Sequence, residues 1–332
     1  MAAGKGERMN PLTLEIPKAL VFIAGKTLLE WSIESLYSAG CKDIVVATGW
    51  KNDMVKKLVG TIDHPSTIHL VDVPQFERGP LQTFITASEL VHNSTSILYP
   101  VDLVISPSAI TSVFSHHPQN HPFAITLAID YSAENGSDVF VDTEGHVLSI
   151  RSETEKESQR AKSAMLLAFS SGFPPYCEDF LKNGMSNIFA VLNALCEREN
   201  SVFGLVINEK WYDVDTIQDA LAVNRFLLES RAKQESESIF IPSGDTMEIG
   251  DSLSLDSGIF LDKGVLLKGP CLILKKSKID ENAIIGPYAS LDEMTQVGPN
   301  SHIYETSIFG NSVIPPNSKI SKALVYNSKI YQ

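Results

Sequence analysis

Positive charge is scarce in this chain: 27 Lys and Arg stand against 40 Asp and Glu, a formal net charge of -13 over 332 residues. Counterion release from a polyphosphate backbone needs a surplus of cations on one face, so the balance argues against a nucleic-acid partner. An anionic ligand therefore has to be held by a local cluster. Cysteine is also sparse. Cys41, Cys177, Cys196 and Cys271 lie far apart with no C-x-x-C pair, which argues against a zinc site or disulfide framework and assigns the four to packing in a reducing compartment. No apolar run reaches the ~18 residues of a membrane span, and the N-terminus lacks the apolar stretch of a secretion signal. The expectation is a cytoplasmic chain with no membrane partner.

With 43% of its residues hydrophobic, the chain can bury a sizeable core, and its length predicts two domains at roughly 100 to 200 residues each. From residue 28 to about 228, short apolar runs alternate with amphipathic stretches, the pattern of strand-helix units around a parallel sheet. Residues 44–48, 68–73, 96–99 and 123–129 read as strands, with others near 164–169 and 202–207. Residues 28–39, 81–91, 108–116 and 216 to about 232 read as helices. The charged "RSETEKESQR" at 151–160 reads as a solvated loop or a mobile lid.

A polar linker at 230–238 precedes a second rhythm. From Ile249 to Phe309 an aliphatic or aromatic residue recurs every six positions, a spacing incompatible with the 3.6-residue period of a helix. Mostly small residues stand two positions earlier, as at Val265, Cys271, Ser277, Ala283, Ser307 and Val313. The register breaks at Pro315-Pro316, since Ile314 and Ile320 come one residue early. Hexapeptide repetition of this kind predicts a parallel β-helix, in which each turn buries its face on the next.

The chain opens with "AAGKGERMNPLT" and then "PKAL". Gly4 and Gly6 leave the backbone free to take positive φ and bring successive N–H groups up to an anion, while Lys5, Arg8 and Lys18 add charge. Together with "GKTLLEWSIESLYSAG" (25–40), "DIVVATGW" (43–50), "ILYPVDLVISP" (97–107), "GSDVFVDTEGHVLSI" (136–150) and "WYDVDTIQDALAVN" (211–224), these motifs resemble the sugar-phosphate nucleotidyltransferases. That family joins a nucleoside triphosphate to a sugar 1-phosphate. The resemblance covers essentially the whole chain, because many members also carry a C-terminal left-handed β-helix of hexapeptides.

The resemblance implies a Rossmann-like α/β nucleotide-diphospho-sugar transferase domain with a mostly parallel sheet (1–232), followed by a left-handed β-helix (239–332). In the family a short apolar strand precedes the glycine loop; Met1 stands at the place of its last residue, so the expectation is a domain lacking most of that first strand. The reaction is attack of a sugar-phosphate oxygen on the α-phosphorus with loss of pyrophosphate, where positioning and charge neutralisation dominate. Gly4, Lys5, Gly6 and Arg8 would hold the triphosphate, with Lys18 near the α-phosphate. The base would lie against Ala2 and Ala3, with Gln75 and Gly79 at its edge. Asp102, which follows a strand and so sits at a carboxyl end of the sheet, and Asp213 would bind Mg²⁺. For Asp213 the alternative is a helix cap, a role that Asp215 or Thr216 suits better.

Gly136, Glu155 and Lys156 match positions that contact the sugar phosphate. Ser163-Ala164-Met165 departs from the family's Asn-Ala-Gly, and Val101 replaces a glycine. These departures keep open a cytidylyltransferase of an alditol, inositol or choline phosphate, and a non-catalytic regulatory NDP-sugar-binding relative. An acyltransferase in the β-helix wants a histidine near the last coils, where there is none, and His302 reads as a surface or stacking residue. The β-helix is therefore expected to be structural, a contact for homo-oligomers.

Overall fold

A computed structural model describes residues 1–91, 95–119, 121–154, 156–197, 201–231 and 237–332, which form two compact units. The first holds Met1–Gly6, Ile16–Ala19 and Leu29–Asp213; the second holds Glu7–Glu15, Leu20–Leu28 and Val214–Gln332. The division falls after Asp213, with the helix Ile217–Ser230 in the second unit, rather than in the polar linker.

In the first unit, the β-branched run Asp43–Thr48 lies parallel to Thr67–Asp72, joined by the helix Asn52–Val59. A second sheet has the order Val202–Val206, Ile125–Asp130, Gln159–Ser170, Ser137–Val141, Val147–Ile150, and Thr95–Leu98 pairs with the far half of Gln159–Ser170. Residues 1–3 run between the two sheets. Ala2 N donates to Ala47 O (2.9 Å) and Trp50 N to Ala3 O (3.0 Å) on one side. On the other, Met1 N donates to Tyr99 O (2.7 Å) and Val101 N to Met1 O (3.1 Å).

The sheet is mixed, where a mostly parallel one was expected. Gln159–Ser170 runs antiparallel to Thr95–Leu98, Ile125–Asp130 and Ser137–Val141. Among the described residues no helix separates the strands between residues 137 and 170, so they turn back on their neighbours instead of crossing over. Thr95–Leu98 and Ile125–Asp130, both antiparallel to the same strand, share one direction, and residues 1–3 run parallel to Asp43–Thr48. The carboxyl ends of these strands therefore open on a common edge. Beneath it, Phe84 packs 5.2 Å from both Phe169 and Phe173, ring centre to ring centre, within a core that includes Leu81, Leu127 and Leu167. His117 is buried there between Thr126 Oγ1 (3.0 Å) and Ser170 Oγ (2.9 Å). Cys177 and Cys271 are buried and all four cysteines are free thiols; burial pushes Cys196 and Cys271 up to about 12.

In the second unit the hexads from Leu261 onward become stacked parallel ladders, whereas the earlier strands Thr246–Glu248 and Leu253–Ser254, expected in the same parallel stack, pair antiparallel with Leu266–Lys268 and Phe260–Leu261. Leu261 pairs with Ile279, Ile279 with Val297, and Val297 with Ile314, steps of 18, 18 and 17 residues that place three hexads in each coil. The core side chains Leu267, Ile273, Ile285, Leu291 and Ile303 are fully buried. The one-residue shift lies earlier than Pro315-Pro316. Leu291 pairs with Ile308, not Phe309, and Ala289 with Thr306, so the missing residue belongs to the corner at Tyr304-Glu305. The corresponding corners of the preceding coils, Lys268-Gly269-Pro270 and Gly286-Pro287-Tyr288, are a residue longer. Phe309 instead stacks on Phe22 (6.1 Å), and Ser312 is buried where Val313, half exposed, was expected.

Thr216 caps the helix Ile217–Ser230 in a capping box with Asp219. From that helix, Asn224 is buried against the stack: its Oδ1 accepts from Ala24 N (2.9 Å) and Ser290 Oγ (2.7 Å), and its Nδ2 donates to Tyr288 O (3.0 Å). No helix among the described residues is long and apolar enough to cross a membrane.

Two outcomes follow from the buried polar groups. Asn224→Ala removes three hydrogen bonds, of which Tyr288 O and Ser290 Oγ keep other partners in Thr306 N and Ser307 Oγ, and should cost on the order of 2–4 kcal/mol in denaturant unfolding; a loss below about 0.5 kcal/mol would contradict the network. Burial, and then the charge of His121, lower His117 to about 4 from its usual 6.5. Its contribution to stability is therefore complete above pH 6.5 and is lost as pH falls towards 4, because the unfolded chain takes up the proton first. Comparing unfolding midpoints of the wild type and His117→Gln across that window should show a shallower decline in the variant.

Candidate active site

The common carboxyl edge gathers three groups of side chains in the first unit. Residues 1–3 carry the chain to this edge and release it as residues 4–6. Gly6 takes φ 65°, and a Cβ on Gly4 would meet nothing within 4 Å. Gly4 thus answers to no packing demand from the protein and leaves an open approach to its backbone. Lys5 pairs with Glu77 and lies 5.7 Å from the Trp50 ring. Ala3 is buried with Ala47 and Val73, beside Phe76, so it meets the edge through its backbone. Gln75 and Gly79 flank the short turn Phe76–Arg78; Gln75 Oε1 accepts from Arg78 Nη1 (3.0 Å).

The second group is ionic. Lys18 opens the turn Lys18–Leu20 directly after Pro17, and its side chain is nearly buried. Its Nζ donates to Asp102 Oδ2 at 2.6 Å. Asp102 follows the Thr95–Leu98 strand, and the next residue, Leu103, pairs with Asp213 in a two-stranded antiparallel ladder. That pairing sets oxygens of the Asp102 and Asp213 carboxylates within 4.8 Å of each other. Two hard oxygen donors this close together suit a divalent cation that takes one or two carboxylates alongside phosphate oxygens.

The third group starts from Gly136, whose φ of 110° only glycine adopts readily and whose Cβ would stand 2.7 Å from the Trp211 ring and 2.8 Å from Ser163 O. Trp211 Nε1 donates to Asp130 Oδ2 (3.1 Å) at the end of the Ile125–Asp130 strand. Ser163 begins an irregular stretch where the strand leaves one ladder for the next, and Met165 inside it takes φ 55°. Ser163 Oγ accepts from Met165 N (2.9 Å). Close by, Arg160 and then Lys162 hold the Asp138 carboxyl down at about 2. The segment 211–213 joins the two groups, with Trp211 over Gly136 and Asp213 opposite Leu103.

Arg8, Glu155 and Lys156 complete the expected site residues. Arg8 belongs to the second unit, where its exposed guanidinium pairs with Asp215. Lys156 is exposed and its amide donates to Thr154 Oγ1 (3.3 Å); Glu155 lies outside the described residues. His302 is exposed on the strand His302–Phe309. Asp130 and Trp211 were missed as site residues. Asp130 carried a usable signal, as a carboxylate closing an apolar strand, and Trp211 stood inside a motif already recognised.

Oxygen donors facing across a few ångströms, an ammonium on one of them and an open glycine backbone suit a phosphate chain travelling with a divalent cation, the chemistry of phosphoryl and nucleotidyl transfer. The nucleotidyl transferase profile matches residues 1–230, and the chain belongs to that family. It is similar to the bifunctional protein GlmU of Methanocaldococcus jannaschii, with 28% identity over 98% of this chain and 76% of that protein. It is also similar to the glucose-1-phosphate thymidylyltransferase of Streptomyces antibioticus, with 22% identity over 90% of this chain and 83% of that protein. In fold, the apo crystal structure of UDP-glucose pyrophosphorylase superposes with a TM-score of 0.59 at 17% identity, over 70% of this chain and 97% of that one.

Gly136→Ala has to displace the Trp211 ring and strain the backbone. We expect a loss of about 2 kcal/mol or more together with a changed Trp fluorescence spectrum; an unchanged melting curve and spectrum would show that Trp211 does not rest on Gly136.

Proposed function

We propose that the first unit transfers a nucleotidyl group from a nucleoside triphosphate to a sugar 1-phosphate, releasing pyrophosphate. The observation that carries this reading is the placement of Lys18, Asp102 and Asp213 at the carboxyl edge, beside the open backbone of residues 4–6. The names of the relatives supply the substrate class. Gly4, Lys5 and Gly6 bind the triphosphate through N–H groups and one ammonium. Lys18 neutralises the α-phosphate region. Asp102 and Asp213 hold Mg²⁺, which when bound draws charge from the phosphate oxygens and lowers the repulsion met by the incoming oxyanion. The base meets the edge near Ala2, Ala3, Gln75 and Gly79, and the sugar phosphate meets Gly136, with Trp211 and Asp130 beside it. Arg8 stays a proposed triphosphate ligand that has to leave Asp215 to act.

For the second unit, the 18-residue parallel ladders support a left-handed β-helix whose surface serves as a contact between copies. The four free thiols agree with a cytoplasmic location.

The test is pyrophosphate release with Mg²⁺ over four nucleoside triphosphates and a panel of sugar 1-phosphates plus inositol and choline phosphates. Release with one nucleotide and one sugar 1-phosphate is expected. Release only with CTP and an alditol, inositol or choline phosphate would replace the sugar reading, and a folded but silent chain would point to a binding protein. Asp102→Asn and Asp213→Asn should each lower kcat by about 100-fold or more, equivalent to ~3 kcal/mol, with the unfolding midpoint preserved in Asp213→Asn and lowered in Asp102→Asn, which strips Lys18 of its counter-ion; full rates in both would overturn the metal role. Gly4→Ala should weaken nucleotide binding without lowering stability.

A further inference from the structure

Lys18 stands on the carboxylate that the metal reading assigns to a divalent cation. Its side chain is about a tenth exposed while that of Asp102 is 26% exposed, and the Nζ–Oδ2 distance is 2.6 Å. With Asp213 within 4.8 Å of Asp102, the ammonium serves as a counter-ion where two carboxylates otherwise repel each other. A cation bound to Asp102 at about 2.0–2.1 Å would lie within a few ångströms of an unmoved Lys18, whose ammonium is nearly buried, so the two like charges would repel at close range. The two cations compete for one anion.

We propose that Lys18 and the divalent cation exchange places on Asp102, so that metal enters as the ammonium leaves for a phosphate oxygen. Lys18 is suited to this. Its backbone is held between Pro17 and the buried Ala19, whereas its four-carbon stem lets a point charge swing between acceptors, which a planar guanidinium with fixed donor geometry does less readily. The nucleotide-free chain then binds metal weakly, and the triphosphate and the metal promote each other's binding because the phosphate gives Lys18 somewhere to go. Lys18 thereby acts as a positioning residue for the metal, besides its proposed contact with phosphate. This rests on the reading of Asp102 and Asp213 as metal ligands.

The experiment is a titration of Mn²⁺ alone, followed by electron paramagnetic resonance and calorimetry, on the wild type, Lys18→Gln, Lys18→Arg, Asp213→Asn and the Lys18→Gln/Asp213→Asn double variant. Lys18→Gln should bind Mn²⁺ at least about tenfold more tightly than the wild type, and Lys18→Arg, which keeps the charge, should not. If Asp213→Asn weakens Mn²⁺ binding but Lys18→Gln is no tighter than the wild type, exchange is wrong and the metal site stands. If Asp213→Asn changes nothing in either background, the metal reading falls and exchange with it. Should Lys18→Gln not fold, lysine labelled with ¹³C at Cε in the wild type provides the readout, with Lys18→Arg assigning the resonance. The Lys18 signal should move in step with Mg²⁺ occupancy, and a signal unmoved at saturating Mg²⁺ would refute the exchange.

Discussion

Three residues of extended backbone at the start of the chain carry a burden out of proportion to their length. Residues 1–3 hydrogen-bond to Ala47 and Trp50 on one side and to Tyr99 and Val101 on the other. Each such bond contributes only about 0.5–1.5 kcal/mol net, but together they tie the Asp43–Thr48 and Thr67–Asp72 pair to the strands that form the rest of the unit. The same bonds set the geometry of the edge. Residues 4–6 leave the stub directly, and Asp102 follows Val101, whose amide the stub holds. Glycine loop and carboxylate are thus neighbours through backbone pairing, before any side chain is considered.

Charge at this edge is arranged in local pairs. Lys5 meets Glu77 and Lys18 meets Asp102, which reconciles a chain of net charge -13 with the handling of a polyanion: the cations needed are few and already gathered. Exposed pairs such as Lys5–Glu77 are worth ~1 kcal/mol or less and give way cheaply to phosphate. The nearly buried Lys18 is different, since it cannot leave Asp102 without another charge taking its part. The segment 211–213 then links this ionic pair to Gly136, because Trp211, which rests on Gly136, directly precedes the short strand that presents Asp213.

The second unit shows how a repeat tolerates a change of length. Losing one residue at the Tyr304-Glu305 corner shifts every later core position by one, yet Ile308, Ile314 and Ile320 still fill the interior. Phe309, displaced from the column, packs on Phe22 instead. Positive φ at Asn282, Asn300, Asn311 and Asn317 marks corners between successive strands of the coils, where asparagine tolerates the left-handed region better than most residues.

Much of this was legible in the sequence because it is local. A six-residue period survives in any context, since each coil repeats the same burial demand, and the glycine loop, the Pro17-Lys18 step and the aspartates at strand ends announce their chemistry by type and neighbourhood. What sequence could not supply was pairing at a distance. Lys18 and Asp102 are 84 positions apart, and nothing in either neighbourhood says that one rests on the other. The antiparallel run of Gln159–Ser170, the seat of Trp211 on Gly136, the removal of Arg8 to Asp215 and the corner that sheds a residue were likewise settled by tertiary packing. The sequence by itself determined which groups were available and the periods of their burial; only the folded chain decided which of them face each other, because that depends on strand order and register, and these are set by the joint burial of segments far apart in the chain.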